Sequence, residues 1–160
     1  MVAEAAFDVA LAREIIERRR STPGAMLPIL HDLQHHFGYI DDAAIPLVAA
    51  ALNISRAETL GVVSFYPDFR RAPAEGRILK LCRAESCQAM GCENLVAHLA
   101  ESHGIAPDRP SPDAGLEVET VYCLGNCALS PAALLDGEPI GRLDRRRIDA
   151  IVTAAKDRSR

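Results

Sequence analysis

ILKLCRAESCQAMGC, residues 78–92, and LEVETVYCLGNC, residues 116–127, decide how this chain is read. Each opens with a strand-like run and closes on a pair of nearby cysteines. ILKLC is short, apolar and β-compatible, and LEVETVYC alternates apolar with polar residues, the period of a half-buried strand. Cys82 and Cys87 enclose four residues, Cys123 and Cys127 enclose three, and 35 residues separate the two pairs. Two such pairs supply four soft sulfur donors, a set that suits an iron–sulfur cluster or zinc. Zinc knuckles usually step as C-x2-C, and neither pair does. Wider steps on loops leaving strands favour the larger rhomb of a 2Fe–2S cluster, with zinc and metal-free thiols as the alternatives.

Composition limits the rest. A chain of 160 residues, 49% hydrophobic, has room for a sizeable core, and with aromatics at 4% and no Trp that core is aliphatic. A net charge of −4 argues against nucleic acid as a partner. The sequence has no apolar run of about 18 residues, so direct membrane insertion is not expected. Glu4, Asp8, Arg13 and Glu14 interrupt the opening apolar stretch, which therefore does not read as a signal peptide. Five cysteines in that setting imply a reducing, cytoplasmic compartment where thiols serve metals or chemistry rather than disulfides.

Outward from the cysteines, the order of elements suggests two parts: a helical N-terminal domain over 1–66 and an α/β domain over 77–160. Phe7, Leu11, Ile15 and Ile16 keep helical spacing, and Arg18, Arg19 and Arg20 close that segment as a solvated, dipole-favoured end. Thr22-Pro23 reads as the start of a second helix, with Met26, Ile29, Leu30, Leu33 and Phe37 on one face and Gly38 at its end. A third helix is expected over 42–52, and Ser55-Arg56-Ala57-Glu58 reads as a capping box for a fourth. Pro67, Pro73 and Gly76 mark the connection. Beyond it come a strand over 78–82, a helix from about Met90 to His103, and a Pro- and Asp-rich loop over 106–115. A strand over 116–123, a hairpin over 132–143 turning at Asp136-Gly137, and a last helix from Asp144 to about Lys156 follow. β-α-β-β-β-α in this order suggests a small thioredoxin-like α/β sandwich.

Other polar groups are weaker candidates. Cys92 is expected inside the helix as a structural thiol, since four cysteines already complete a cluster. His31, His35 and His36 read as surface or packing residues because no H-E-x-x-H accompanies the i, i+4 pair. His98 and His103 read the same way, and Arg145, Arg146 and Arg147 as a solvated face. Gly125 leaves room for a tight ligand loop, and a helix following Cys87 would turn its positive end toward the sulfurs. No nucleotide-binding glycine motif, no C-x-x-C and no catalytic dyad is present, so no catalytic residue is assigned.

LPILHDLQHHFGYID, LNISRAETLGVVSFYPDF and the C-x4-C…CLG-x-C pattern resemble the small thioredoxin-like 2Fe–2S subunit of respiratory complex I (NADH dehydrogenase). Related subunits occur in NAD-reducing hydrogenases and soluble NAD-dependent formate dehydrogenases. The resemblance covers about residues 25–150. It implies a thioredoxin-like 2Fe–2S ferredoxin domain preceded by an α-helical bundle, with Cys82, Cys87, Cys123 and Cys127 as the ligands of one cluster. RPSPDAGLEVETVYC is shorter than the matching segment of complex I members and lacks their T-T-x-D-G stretch. CRAESCQAMGC looks more like the gamma subunit of molybdenum formate dehydrogenase. That likeness implies an electron-transfer subunit, inactive alone, in a complex coupling formate oxidation to NAD+ reduction. FMN, NAD and the molybdenum cofactor would then lie on partners, a flavin- and NAD-binding subunit and a larger iron–sulfur/molybdenum subunit. The corresponding subunit of complex I or of an NAD-reducing hydrogenase, and a free-standing ferredoxin shuttle, are the alternatives.

Overall fold

The structure, a computed structural model, describes residues 7–109, 111 and 114–158. Glu4, and Pro110, Pro112 and Asp113 of the expected loop, lie outside the described residues. The chain divides into two compact units, Val2–Pro73 and Ala74–Arg160.

The first unit is helical: α1 (Val9–Arg19), α2 (Met26–Phe37), α3 (Ala44–Leu52) and α4 (Arg56–Phe65). Asp8 opens α1 by accepting from the Ala10 and Leu11 N–H groups. Ala12, Ile15 and Ile16 of α1 pack with Ile29, Leu30 and Leu33 of α2, Ile45 and Val48 of α3, and Val63 of α4. Those residues recur at three- and four-residue steps, which is why isolated short helices become stable here through their shared apolar faces. Arg19 does not simply face solvent; it reaches Asp32 of α2 at 2.8 Å. Thr22 is not the start of α2. Its hydroxyl donates to the Arg19 carbonyl at 2.7 Å, closing α1, and α2 begins four residues later without a side-chain cap. Gly38 ends α2 in the left-handed region, as expected. α3 begins at Ala44 rather than Asp42, because Asp41 and Asp42 form the turn before it. The capping box of α4 is complete: the Glu58 N–H donates to Ser55 Oγ, and the Ser55 N–H donates to the Glu58 carboxylate. The Ser55 N–H and the Ser55 hydroxyl, each donating to that carboxylate at 2.8 Å, hold the Glu58 carboxyl below its ordinary range.

The second unit is a four-stranded sheet with helices. Its strands are β1 (Arg77–Cys82), β2 (Leu116–Val121), β3 (Ala133–Leu135) and β4 (Glu138–Ile140), in the order β2-β1-β3-β4. β1 runs parallel to β2 and antiparallel to β3, and β3 and β4 form the hairpin that turns at Asp136-Gly137. Leu79 and Leu81 of β1 and Leu116 and Val118 of β2 are buried on one face. They share a core with Leu95 and Leu99 of α6 (Cys92–His103) and Ile148 and Val152 of α7 (Arg145–Arg158). Lys80 and Glu119 face the other way and pair at 3.6 Å across the strands. The alternation follows directly from the two-residue period of a strand.

Boundaries in this unit differ from expectation as well. A short α5 (Glu85–Ala89) precedes α6, because Gly91 at φ +88° interrupts the helical path between Met90 and Cys92. One turn of helix is too short to leave an apolar period in the sequence. β2 ends at Val121, so Tyr122 and Cys123 belong to the loop. α7 begins at Arg145 because Asp144 caps it, accepting from the Arg147 N–H at 2.8 Å.

Gly76 has a steric role. A Cβ there would stand 2.3 Å from the backbone C and O of Gly115, where β1 and β2 begin their pairing. Gly76→Ala is expected to cost about 1–3 kcal/mol or more by forcing the strands apart, and Ser55→Ala about 1 kcal/mol by removing the cap. Urea denaturation monitored by circular dichroism checks both; an unchanged midpoint for Gly76→Ala contradicts the close approach.

Candidate metal centre

Parallel pairing sets the Cα of Cys82 beside Val121, so the segments after β1 and β2 leave the sheet at the same end. Cys82 is the last residue of β1 and Cys87 sits in α5; both are buried. Cys123 lies in the loop after β2 with φ +72°, and Cys127 opens a 3₁₀ turn, Cys127–Leu129. Both are exposed. The Cys123 and Cys127 sulfurs stand 3.8 Å apart. The Cys87 thiol donates toward the Cys82 sulfur and helps hold it below its ordinary value, so these two free cysteines make the second pair.

The two pairs converge. Burial pushes the Cys82 thiol up, but the N–H groups of Ala84, Cys123 and Leu124 and the Cys87 thiol outweigh it and hold Cys82 below its ordinary value. Two of those N–H groups belong to the other cysteine loop. The Cys127 thiol is pushed up by its hydrogen bond and charge interaction with Cys123, then by burial and by the charges of Cys87 and Cys82. All four sulfurs therefore share one electrostatic neighbourhood. No three cysteine sulfurs lie within 4.8 Å of one another among the described residues. The arrangement is two close pairs rather than one compact quartet.

Cys92 belongs to the same buried patch but not to the same chemistry. It is fully buried at the start of α6. Burial, followed by the neighbouring Glu93 carboxylate, pushes its thiol up to about 11. The rise at Cys127 comes first from its fellow cysteine, whose charge a bound cation would offset; the rise at Cys92 comes first from burial, which leaves it a poor ligand. Arg83 grips Glu93 with two bonds of 2.8 Å, tying the exit of β1 to the first turn of α6.

Further supports carried no recognisable sign in the sequence. Ser130 Oγ donates to the Cys127 carbonyl at 2.8 Å, lies 2.9 Å from Ser86 Oγ and accepts from the Cys87 thiol at 3.4 Å. One hydroxyl thus bridges both ligand segments. Gly141 lets the chain after β4 pass against the 3₁₀ turn: a Cβ there would meet Leu129 Cβ at 2.5 Å and Leu129 O at 2.8 Å. The Arg142 N–H donates to that same carbonyl at 2.6 Å. Arg147 reaches the Gly141 carbonyl, so this arginine is not merely a solvated group. Gly125 adopts φ +75° in the open loop, as its place between Cys123 and Cys127 suggests. Cys87 lies within α5, and the helix that follows it, α6, begins five residues later at Cys92. His31 packs its ring on Phe69 and His36 on Phe37, away from any cysteine in sequence.

Family comparison agrees with this geometry. The model of the thioredoxin-like [2Fe-2S] ferredoxin family matches residues 12–156, and the chain belongs to that family. Among relatives, NADH-quinone oxidoreductase subunit 2 of Thermus thermophilus is 31% identical over 133 residues, 82% of this chain and 74% of that protein. NADP-reducing hydrogenase subunit HndA of Solidesulfovibrio fructosivorans is 28% identical over 145 residues, 89% of this chain and 85% of that one. The crystal structure of an air-oxidised NAD+-reducing [NiFe]-hydrogenase superposes with a TM-score of 0.72 at 30% identity. That match covers 89% of this chain and 24% of the hydrogenase chain, so this chain spans about a quarter of its length. The fold is thioredoxin-like, and helices precede its sheet in the chain.

Thiol reactivity checks the electrostatics. In the metal-free chain at pH 8, iodoacetamide should label exposed Cys123 before buried Cys92, and Cys92 should react last. Peptide mass spectrometry gives the order; early labelling of Cys92 in the folded chain contradicts its assigned burial. Gly141→Ala, by displacing the 3₁₀ turn, should lower metal uptake without removing a single ligand.

Proposed function

We propose that Cys82, Cys87, Cys123 and Cys127 hold one 2Fe–2S cluster, and that the chain is the electron-transfer subunit of a complex coupling formate oxidation to NAD+ reduction. The observation that carries the cluster assignment is the grouping of the sulfurs into two close pairs, with the Cys123 and Leu124 N–H groups directed at Cys82. A tetrahedral zinc site with sulfurs about 2.3 Å from the metal would draw all four into one compact set. Two pairs would suit a two-iron rhomb, with Cys82 and Cys87 as one pair of candidate ligands and Cys123 and Cys127 as the other. The charge coupling between the pairs also calls for a cationic centre, because four adjacent thiolates repel one another.

When bound, such a cluster accepts and releases one electron at a time. The residues around it supply the setting. Ala84, Cys123 and Leu124 direct N–H dipoles at sulfur, which favours the more negative, reduced state. Ser130 and Ser86 lock the two ligand segments together. Exposed Tyr122 and Leu129, and Met90 beyond α5, leave apolar surface next to the ligand loops in the chain. An apolar patch of this kind beside a redox centre suits a docking edge for a protein partner. The partner in this reading is a flavin- and NAD-binding subunit, and a larger subunit carries the molybdenum site.

The formate reading rests on CRAESCQAMGC and on the short segment before the second cysteine pair. A second reading, the equivalent subunit of an NADH-quinone oxidoreductase or an NAD-reducing hydrogenase, is favoured by the names of the relatives found. The described helices include none long and apolar enough to cross a membrane, which is compatible with either.

Replacing any one of the four ligands by Ser should lower iron content or shift the visible and EPR spectra, whereas Cys92→Ser should leave them unchanged. Bleaching by Cys92→Ser alone would overturn the assignment. The isolated chain should show only background NADH oxidation. Affinity purification from the native host should recover a flavoprotein and a molybdenum subunit with formate-dependent NAD+ reduction. Recovery of quinone-reductase membrane subunits, or of a nickel–iron subunit, moves the complex to the second reading.

A further inference from the structure

α6 and α7 meet through Leu95, Leu99, Ile148 and Val152, and above that apolar contact they share a polar cluster. His98 Nε2 and His103 Nε2 each lie 2.7 Å from the same oxygen, Asp149 Oδ1. The two imidazoles stand nearly perpendicular, with ring centroids 5.6 Å apart. Both histidine side chains are mostly buried, at 15% and 16% exposure, while Asp149 is 47% exposed, so the cluster is sheltered at the rings and open at the carboxylate. The three donor atoms lie within 4.8 Å of one another.

The sequence does not advertise this arrangement. His98 and His103 are five residues apart, a step that places them on different faces of an ideal helix. Asp149 comes from another helix, in its second turn. Only the packing of α6 on α7 joins them.

Two imidazole nitrogens gathered at one carboxylate oxygen match the ligand chemistry of zinc and of other borderline divalent ions such as Ni²⁺ and Co²⁺. A second feature points the same way. His98 Nδ1 lies 3.1 Å from Ser102 Oγ. A metal-ligating histidine commonly donates its other ring N–H to an acceptor that fixes its orientation. Ser102 can accept that proton when Nε2 binds a metal. It can equally donate to Nδ1 when Nε2 carries the proton, so the hydroxyl serves both states of the ring.

We propose that His98, His103 and Asp149 form a binding site for a divalent transition-metal ion that clamps α6 to α7. The protein supplies three ligands, and water completes the shell. The site is independent of the cysteine centre: it uses no sulfur and it stands whether or not the cluster assignment does. Its consequence is mechanical. Binding of the metal to the folded state alone stabilises the helix pair by mass action.

Zinc is the probe. The full chain, iron-loaded so that its cysteines are occupied, is dialysed against graded Zn²⁺ at pH 7.5, and zinc and iron are measured together by elemental analysis. About one zinc per chain should bind with iron retained, and the melting temperature should rise with zinc. His103→Gln and Asp149→Asn should each weaken binding by roughly tenfold or more, with His31→Gln and His35→Gln without effect; Ser102→Ala, which keeps all three ligands, should weaken it less. If a ligand variant fails to fold, long-range ¹H–¹⁵N spectra of the unaltered chain decide, because zinc should shift Nε2 of His98 and His103 and leave His31, His35 and His36 in place. Unchanged zinc uptake in folded His103→Gln, unmoved His98 and His103 resonances, or binding weaker than about 1 mM overturns the proposal and leaves an ordinary hydrogen-bonded cluster.

Discussion

Parallel pairing of β1 with β2 is the constraint on which the rest depends. The register that places Cys82 beside Val121 brings two loops, whose cysteine pairs are separated by 35 residues of chain, out of the sheet side by side. A shift of one residue would turn Leu79 and Leu81 away from the core and Lys80 into it, so the hydrophobic pattern itself enforces the register. The same pattern that buries four aliphatic side chains therefore also delivers the thiols. Gly76 permits the close backbone approach where β1 and β2 begin their pairing, and Gly141 the one against the 3₁₀ turn that Cys127 opens.

Electrostatics within the cluster of sulfurs separates roles that the amino-acid letters do not. Cys82 and Cys92 are both buried, yet three N–H groups and a neighbouring thiol pull one down, and burial with a carboxylate pushes the other up. The backbone dipoles come from positions whose side chains are unremarkable: Ala84, Cys123 and Leu124. Thiolate character thus depends on loop path more than on neighbouring charged residues.

Much of this was legible in the sequence, for reasons that can be stated. The close cysteine pairs were visible because a compact ligand loop needs fixed short spacing. The capping box at Ser55 and the Asp136-Gly137 turn were visible because each depends on local chemistry within four residues. Elsewhere the sequence was silent or pointed the wrong way. Thr22 looked like a helix start because its bond to the Arg19 carbonyl runs backward rather than forward. α5 was hidden by its length, and Ser130 by the lack of any motif linking it to Ser86. His98 and His103 looked bland because their partner, Asp149, lies on another helix.

What the four paired thiols hold decides the chemistry of the chain. Anaerobic purification of the full chain, followed by iron, acid-labile sulfide and zinc determination alongside the visible spectrum, addresses this directly. A 2Fe–2S centre predicts a brown protein with iron and sulfide in equal amounts, two of each per chain, and an EPR signal that appears on reduction. A colourless protein carrying one zinc on its cysteines, or no metal after iron and sulfide reconstitution, would contradict it.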